Sequence, residues 1–319
     1  MIPLCDIVIP IWNQPEMTAR CLESVAACTR EPVRLILVDN GSDAPTRELL
    51  DRFKAEGKIP TEILRNDTNL GFIKAVNRGI RAGKAPWVCL LNNDTVVTSG
   101  WLSEMIHVAE SDPGIGLVNP SSNTLGSDPQ KRSPGWVELP VAIGFCLLAR
   151  RSLFDRIGLL DEQFGMGNFD DDDLSLRIRK AGLKPVRALA AYVHHEEKSS
   201  FKKLPGWEKA FDENRRRFEK KWGRRLRILW ARPAGQASAE LANEGHWICV
   251  VPTGDKGWRA RALWKLLAKR KKPFNLVISP DPSWIRWVKR FGWLHRAMLL
   301  TQPDEKEIVA RCRELSLSR

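Results

Sequence analysis

Short apolar runs alternate with amphipathic stretches along the first part of the chain. The apolar runs are rich in Val, Ile and Leu and lie at residues 6–10, 33–38, 62–65 and 87–91. Between them, apolar side chains recur with helical spacing at residues 18–28, 44–56 and 72–82. Strands that alternate with helices of this length form parallel β-α-β units. The sequence therefore predicts an α/β fold with a Rossmann-like, mostly parallel sheet flanked by helices.

Polar clusters follow three of the predicted strands. They are Trp12-Asn13 after the first strand, residues 39–43 after the second and residues 92–94 after the fourth. Asn, Asp, Gly and Ser are also the usual residues of turns, so any one cluster alone favours a turn. In open α/β sheets, however, ligands bind beyond the carboxyl ends of the strands. Three clusters at one sheet edge are better explained by a binding site.

The chain has no G-x-G-x-x-G motif after a strand and no lysine-bearing phosphate loop. Asn69-Leu-Gly71-Phe instead leads directly into the predicted helix that contains Lys74. A glycine at a helix N-terminus leaves backbone N–H groups free, and such groups suit a phosphate. This segment is a weak candidate for a phosphate contact.

Four consecutive aspartates, Asp170 to Asp173, precede an amphipathic helix that ends near Gly182. Carboxylates at a helix N-terminus are stabilised by the macrodipole, and exposed acidic runs are usually only solvated. Four adjacent carboxylates nevertheless exceed what capping requires, and their repulsion raises their affinity for protons or cations. We therefore expect at least one of them to be functional.

The formal net charge of +13 is unevenly distributed. Residues 1–200 hold 23 Lys and Arg against 26 Asp and Glu, whereas residues 201–319 hold 28 against 12 and nine of the 13 tryptophans. Three interpretations stay open for this basic third. The tryptophans belong to a core under a solvated basic surface, or the region contacts an anionic membrane peripherally, or it binds nucleic acid. We favour them in that order and do not expect nucleic acid.

The length of 319 residues predicts one large domain with a small companion. We assign residues 1–230 to the large domain, including a basic, Trp- and Phe-bearing helix from 205 onward. Residues 231–245, rich in Ala, Gly and Ser, are expected to be a linker. Residues 246–319 are expected to form a small, basic, Trp-rich α/β module of unknown role.

The longest nearly unbroken apolar run, residues 141–149, is far shorter than the roughly 20 residues of a transmembrane helix. The first residues lack the basic region and apolar stretch of a secretory signal. Seven cysteines without a C-x-x-C pair favour buried thiols in a reducing compartment. We therefore expect a cytoplasmic protein, with peripheral contact at the inner face of the membrane as an open alternative.

Taken together, the ordered motifs resemble those of family 2 glycosyltransferases of the GT-A fold, of the rhamnosyltransferase type found in bacterial glycan biosynthesis. The resemblance covers about residues 3–225. Its motifs are Ile-Val-Ile-Pro10 with Trp12-Asn13, Leu-Val-Asp39-Asn-Gly-Ser-Asp, Asn69-Leu-Gly-Phe with Asn77-Arg-Gly, Leu-Leu-Asn92-Asn-Asp94, Gly144-Phe-Cys-Leu-Leu-Ala-Arg-Arg with Gly158-Leu-Leu-Asp-Glu-Gln-Phe, Asp170-Asp-Asp-Asp-Leu with Arg177 and Ala181-Gly182, and Phe218-Glu-Lys-Lys-Trp-Gly223.

The resemblance implies that a sugar moves, with inversion, from a nucleoside diphosphate donor to an acceptor hydroxyl of a glycan, a lipid-linked sugar or a protein. Asp94 matches the last position of the family's D-x-D motif and is the expected ligand of Mn²⁺ or Mg²⁺, since hard cations prefer carboxylate oxygens. Asn92 stands at the first position of that motif, and we expect it and Asn93 to contact the nucleotide. Either His194 or His195 is expected to supply a further contact to the metal or to the diphosphate, and we favour His195.

Inverting displacement needs a general base that faces the acceptor hydroxyl. By resemblance the base is Asp171. The family's preceding glutamate is replaced by Asp170, so the register among the aspartates is ambiguous, and Asp170 and Asp172 stay as alternatives.

The resemblance also assigns the donor pocket for a uridine or thymidine diphosphate sugar. Pro10 and Trp12 are expected to line the nucleobase, and Asp39 is expected to accept from its ring N–H. Gly71 and Lys74 are expected to approach the diphosphate. Trp12 as a core residue and Lys74 as a solvated lysine are the alternatives.

A different class of function is also open, in which a non-catalytic protein on this scaffold binds or assembles through its basic C-terminal third. The presence of both Asp94 and the acidic Asp-Leu motif favours the enzyme, because a decayed site has no reason to keep them.

Overall fold

A computed structural model describes residues 3–196, 206–268, 273–290, 298–301 and 304–317. The chain divides into two compact units, Met1–Arg217 and Phe218–Arg319. Among the described residues, no helix has both the length and the apolar composition needed to cross a membrane.

The first unit begins with the predicted β-α-β succession. Its strands are β1 (Cys5–Ile11), β2 (Val33–Asn40), β3 (Thr61–Asn66) and β4 (Trp87–Leu91), and its helices are α1 (Pro15–Cys28), α2 (Ala44–Glu56) and α3 (Phe72–Ala82). The four strands lie in the order β3-β2-β1-β4 and are all parallel. Because the four strands are parallel, their carboxyl ends lie at one edge of the sheet, as the sequence predicts.

The second half of this unit extends the sheet with strands of three to 12 residues, some of them antiparallel to their neighbours. Its elements are β5 (Thr95–Val97), α4 (Trp101–Ser111), β6 (Ile115–Ser121), β7 (Trp136–Glu138), β8 (Cys146–Arg150), α5 (Arg151–Ile157), α6 (Asp170–Lys180) and β9 (Lys184–His195). The full order is β3-β2-β1-β4-β8-β6-β9-β5, with β7 also paired to β9. β8 runs antiparallel to β4, and β5 runs antiparallel to β9. Helix α7 (Trp207–Trp222) follows and crosses the boundary between the units.

The core of the first unit forms because its central strands are apolar on both faces. All five residues of β4 are buried, and so are six of the seven residues of β1. Strands that are covered on both sides by helices read as continuous apolar runs rather than alternating ones. This packing fixes the sheet edge from which the polar loops emerge.

The second unit is a smaller α/β layer. Its elements are β10 (Arg227–Trp230), α8 (Gln236–Asn243), β11 (Trp247–Val250), α9 (Trp258–Ala268), β12 (Leu276–Ile278), α10 (Pro282–Lys289), β13 (Met298–Leu300) and α11 (Glu305–Leu317). The four strands are parallel in the order β11-β10-β12-β13.

The expected boundary at residue 230 and the expected linker at 231–245 are wrong. β10 pairs with both β11 and β12, and Ile228, Leu229 and Trp230 are fully buried, so this strand belongs to the second unit. Most of the supposed linker is helix α8, because Ala237 and Leu241 pack into the same core. A composition rich in Ala suits a packed helix as well as a linker.

Candidate active site

A cleft of about 420 Å³ lies in the first unit at the end of α6 that carries the aspartates. It is lined by residues from several loops and from α6 and α7: Phe72, Asn92, Ile143, Gly144, Phe145, Met166, Gly167, Asn168, Phe169, Asp170, Asp171, Asp172, His195, Trp207 and Phe211. The cleft thus brings together residues that the sequence separates widely, including Asn92, three of the four aspartates and His195.

Asp94 and His195 form a close pair. His195 Nε2 lies 3.2 Å from Asp94 Oδ1. The pair forms because β5 and β9 are antiparallel, with Thr95 opposite His195, and because the Glu196 N–H donates to the Asp94 carbonyl at 3.0 Å. The imidazole also stacks on Phe145, with ring centroids 5.0 Å apart. Strand pairing and stacking therefore fix the ring beside the carboxylate.

Asn123 holds the backbone of His195 from the other side. Its side-chain amide donates to the His195 carbonyl at 2.8 Å and accepts from the His195 N–H at 2.9 Å. This two-point contact pins the end of β9, where the strand would otherwise fray. Asn123 is absent from the sequence-based prediction, because no local motif marks a side chain that clamps a strand end 72 residues away.

The Asp94–His195 pair has the chemistry of a divalent cation site. Asp94 Oδ1 is buried, and its geometry toward His195 does not make a hydrogen bond, so this oxygen has no hydrogen-bond partner among the described residues. A buried carboxylate oxygen without a donor is costly unless a cation satisfies it. One carboxylate and one imidazole suit Mn²⁺ or Mg²⁺, with the remaining positions left for phosphate oxygens and water. The described residues contain no group of three or more His, Cys, Asp or Glu that could hold a metal, so this would be a two-ligand site.

His194 does not join this pair. It is exposed and lies opposite Val96 in the β5–β9 register. Successive side chains of a strand point to opposite faces, so only one of the two histidines faces Asp94. The structure places His195, the favoured candidate, beside Asp94, and it does not place His194 there.

The four aspartates occupy different environments. Asp173 is fully buried and pairs with Arg177 at 2.8 Å, which gives it a structural role. Asp170 is also buried, and burial raises its pKa to about 6. Asp170, Asp171 and Asp172 all line the cleft, whereas Asp173 does not.

Two backbone N–H groups hold the carboxylate of Asp171 at the cleft. Its Oδ1 accepts from the Asp172 N–H at 2.9 Å and its Oδ2 accepts from the Gly144 N–H at 3.3 Å. Burial first, and then repulsion by Asp170 and Asp172, raises the pKa of Asp171 well above the usual value for aspartate. Asp171 is therefore held in one orientation and has a greater affinity for protons than an ordinary aspartate.

The backbone just before these aspartates is strained. Asn168 and Phe169 have φ values of 73° and 69°, in the left-handed region that aromatic residues rarely adopt. Such conformations persist only where surrounding contacts impose them, and they cluster at functional sites. Here the strain turns the chain directly into α6, where the Asp173 N–H donates to the Phe169 carbonyl at 2.9 Å.

An aromatic group forms one wall of the cleft. The rings of Trp207 and Phe211 stack 5.4 Å apart, and Phe211 contacts Phe169 at 5.1 Å. The sequence placed Trp207 and Phe211 on the apolar stripe of a helix but gave no reason to assign them to a site. Their spacing of four residues, which places them on the same face of α7, is the sequence signal that could have indicated a shared aromatic surface.

The residues expected around the nucleotide are more dispersed. Of these, only Asn92 lines the cleft; Pro10 and Trp12 are half-buried outside it. Asp39 is fully buried at the end of β2, where it accepts from the Ser42 N–H and from Arg65, both at 2.9 Å.

The N–H of Gly71 has a partner within its own loop, and neither Asn93 nor Lys74 lines the cleft. The Gly71 N–H donates to Asn69 Oδ1 at 2.9 Å, because the Asn69 side chain folds back over the start of α3. Glycine is needed there for another reason, since its φ is 89° and an added Cβ would lie 2.9 Å from the Gly165 carbonyl oxygen. Asn93 donates to Thr18 Oγ1 at 2.9 Å, and Lys74 is exposed on α3.

Residues 6–158 match the family model described as glycosyl transferase family 2. The match covers slightly less than half of the chain and shows that these residues are similar to that family. The resemblance inferred from the motifs is thereby confirmed.

Two curated proteins of different length are similar to this chain. The N-acetylglucosaminyl-diphospho-decaprenol L-rhamnosyltransferase of Mycobacterium tuberculosis is 28% identical over 251 residues, which cover 63% of this chain and 78% of the relative. An uncharacterized protein of Sinorhizobium fredii is 26% identical over 228 residues, which cover 62% of this chain and 25% of the relative. The chain therefore spans about a quarter of one relative and most of the other.

Two solved structures show that this chain has the expected GT-A fold. A mannosyltransferase from Pyrobaculum calidifontis, in complex with GDP-Man and Mn²⁺, aligns with a TM-score of 0.57 at 12% identity and covers 99% of this chain and 85% of its own. GalNAc-T7, with UDP, GalNAc and Mn²⁺, aligns with a TM-score of 0.55 at 18% identity and covers 68% of this chain and 50% of its own.

Proposed function

We propose that this protein transfers a sugar from a nucleoside diphosphate donor to an acceptor hydroxyl, with inversion at the anomeric carbon and with a divalent cation. One observation carries the proposal. His195, which pairs with Asp94, and an oriented carboxylate, Asp171, line one cleft of a chain that is similar to family 2 glycosyltransferases.

Asp94 Oδ1 and His195 Nε2 are the atoms that would hold Mn²⁺ or Mg²⁺. A bound cation would neutralise the negative charge that develops on the departing nucleoside diphosphate. Phe145 and Asn123 support this arrangement, because they hold the His195 ring and backbone in place before any ligand arrives. Groups that orient a metal ligand typically change metal affinity by 10- to 100-fold when they are removed.

Asp171 is the proposed general base. Its carboxylate accepts the proton of the acceptor hydroxyl as that oxygen bonds to the anomeric carbon and the bond from that carbon to the diphosphate oxygen breaks. A raised pKa suits this role, because a base works best when its pKa approaches the operating pH. The Gly144 and Asp172 N–H groups orient the carboxylate toward the cleft.

The donor is proposed to be a uridine or thymidine diphosphate sugar. Asn92 is the proposed nucleotide contact inside the cleft, with Asn93 beside it on the same loop. Pro10, Trp12 and Asp39 would meet the nucleobase at the ends of β1 and β2, and the Gly71 segment with Lys74 would lie nearer the diphosphate. One structural neighbour was solved with UDP and another with GDP-Man, so both nucleotide classes occur on this fold.

The acceptor is proposed to be a glycan or a lipid-linked sugar. The aromatic wall formed by Phe169, Trp207 and Phe211 supports this, because aromatic faces pack against the apolar faces of sugar rings. The mycobacterial relative is named for an acceptor in which N-acetylglucosamine is linked through a diphosphate to decaprenol. A polyprenyl-linked acceptor is the corresponding candidate here.

Release of nucleoside diphosphate from a panel of nucleotide sugars, with and without Mn²⁺, tests this function. We expect metal-dependent release from at least one uridine or thymidine diphosphate sugar, and its loss in Asp171→Asn. Equal release by wild type and Asp171→Asn would contradict the assigned base. No release from any donor in the presence of Mn²⁺ would contradict the reaction.

A further inference from the structure

Helices α9 and α10 of the second unit carry an apolar and cationic surface that the transfer reaction does not use. We call it the α9–α10 surface and define it by Ala260, Leu263, Trp264, Leu267 and Trp287, together with Lys265, Arg286 and Lys289.

Helix α9 has two apolar stripes instead of one. Trp258, Ala262 and Leu266 are buried and pack into the core of the second unit. The second stripe, at residues 260, 263, 264 and 267, has the spacing of a helix face and points outward. Trp264 is 66% exposed and Leu267 is 42% exposed. A surface helix of a globular protein normally needs only its core-facing stripe, so the outer stripe requires another explanation.

The outer stripe borders a groove of about 380 Å³ between the two helices. Arg259, Ala260, Leu263, Ser283, Trp284 and Trp287 line it. The buried rings of Trp258 and Trp284 lie 5.2 Å apart and hold α9 beside α10. Trp287, which is 38% exposed, stands on the α10 side of the groove. The exposed rings therefore project from two helices that a packed core holds together.

The charge around the groove has one sign. Neither α9 nor α10 contains an Asp or Glu, and the acids that shortly precede the two helices in the sequence, Asp255 and Asp281, are paired with Arg261 and Arg259. In contrast, Lys265, Arg286 and Lys289 are exposed and form no ion pair with the described part of the chain.

The whole second unit is basic as well. Residues 218–319 contain 22 Lys and Arg against nine Asp and Glu, which accounts for the entire net charge of +13. The partner of the α9–α10 surface must therefore offer negative charge as well as apolar contact.

We propose that the α9–α10 surface docks onto a membrane that contains anionic lipid. Tryptophan favours the boundary between headgroups and acyl chains, and Lys and Arg beside it gain from anionic headgroups. A nucleic acid would use the cations and the tryptophans, but it gives no role to Leu263 and Leu267. A membrane uses all three classes of side chain at once.

Flotation of the full-length protein with lipid vesicles tests this proposal. We expect binding to vesicles of phosphatidylcholine mixed with an equal amount of phosphatidylglycerol, and little binding to phosphatidylcholine alone. The triple variant Lys265→Gln, Arg286→Gln, Lys289→Gln is expected to lower the partition coefficient by about fivefold for each cation removed. Lys306→Gln, an exposed cation on α11, is the matched control and should bind as wild type does.

The apolar contribution is tested by the double variant Trp264→Ala, Trp287→Ala. We expect a loss of at least tenfold in binding to the mixed vesicles. Trp247→Ala is the control, because Trp247 is 56% exposed but lies on strand β11, outside the α9–α10 surface. Thermal melting of each variant, compared with wild type, separates a loss of binding from a loss of folding.

Several outcomes would overturn the proposal. Equal binding to both kinds of vesicle, or equal binding by wild type and both multiple variants, would do so. Tighter binding to duplex DNA than to the mixed vesicles at the same salt concentration would also overturn the proposal, provided that the triple variant abolished the binding to DNA. That result would assign the surface to nucleic acid. None of these measurements depends on glycosyl transfer, so their failure is distinguishable from failure of the proposed reaction.

Discussion

His195 Nε2 lies 3.2 Å from Asp94 Oδ1, across the antiparallel pairing of β5 with β9. The register of the two strands thus brings together a carboxylate and an imidazole from residues about a third of the chain apart.

Exchange of His195 is expected to weaken the metal site, whereas exchange of its neighbour is not. His195→Ala removes the imidazole beside Asp94, so we expect at least tenfold more Mn²⁺ to be needed for half-maximal transfer. His194→Ala is the matched control, since this exposed residue lies on the other face of β9. Titration of activity with Mn²⁺ measures both variants. Equal Mn²⁺ requirements would show that His195 is not a ligand.

We expect Asn123 to affect the proposed metal site through the backbone of His195. Asn123→Ala removes both hydrogen bonds to that backbone, and we expect metal affinity to fall by about tenfold while the metal-saturated kcat changes little. Thr124→Ala, in the adjacent position, should leave the Mn²⁺ titration unchanged. A fall in kcat without any change in Mn²⁺ affinity would contradict this positioning role.

Asp171→Asn is expected to lower kcat by about 10²- to 10⁴-fold, because a positioned base contributes that much to proton transfer. Donor binding should be nearly unchanged, since the variant keeps the size of the side chain. Asp172→Asn tests the register and should retain most of the activity. A normally active Asp171→Asn together with an inactive Asp172→Asn would move the base to residue 172.

The pH dependence of transfer follows from the same carboxylate. Because the pKa of Asp171 is raised, the base is protonated at pH values where an ordinary aspartate is ionised. We expect kcat/KM to fall on the acid side with a midpoint well above pH 4, and this midpoint belongs to the coupled carboxylates rather than to one residue. Rate measurements between pH 4 and 9 would show this limb. A profile that stays flat down to pH 4 would exclude it.

Much of the fold follows from the local pattern of the sequence. The strand and helix positions from β1 to β4 are predictable because buried parallel strands and amphipathic helices have different periodicities. The boundary between the units is not predictable in this way, because a short apolar strand such as β10 has the same sequence pattern whichever sheet it joins. Helix α8 is not predictable for a related reason, since small residues such as Ala suit both a packed helix and a linker.

The site was predictable in residue type but only partly in geometry. Asp94 and the four aspartates stand in motifs, whereas the choice between His194 and His195 depends on which face of β9 meets β5. Asn123 and the aromatic wall depend on long-range packing that no local motif records. The hydrogen bond from the Gly71 N–H to Asn69 is likewise not predictable from the sequence, because it arises only in the folded loop.

Asp170 is expected to cost the protein stability. Its pKa is raised from 3.8 to about 6 by burial, so the folded state binds this proton more tightly than the unfolded chain. The cost grows as the pH rises from about 4 to 6 and stays constant above that range. Asp170→Asn should therefore stabilise the protein at pH 7.5, by on the order of 2 kcal/mol, and by much less at pH 4. Urea unfolding at the two pH values measures the difference, and an unchanged or lower stability at pH 7.5 would contradict it.

The central claim is that Asp94 and His195 bind a nucleoside diphosphate through a divalent cation. Isothermal titration of uridine and thymidine diphosphates into wild type and Asp94→Asn, with and without Mn²⁺, tests it directly. We predict that at least one nucleotide binds wild type only in the presence of Mn²⁺, and that Asp94→Asn weakens this binding at least tenfold while Asp67→Asn, an exposed control, does not. Binding of the same strength without metal, or equal binding by Asp94→Asn, would contradict the account.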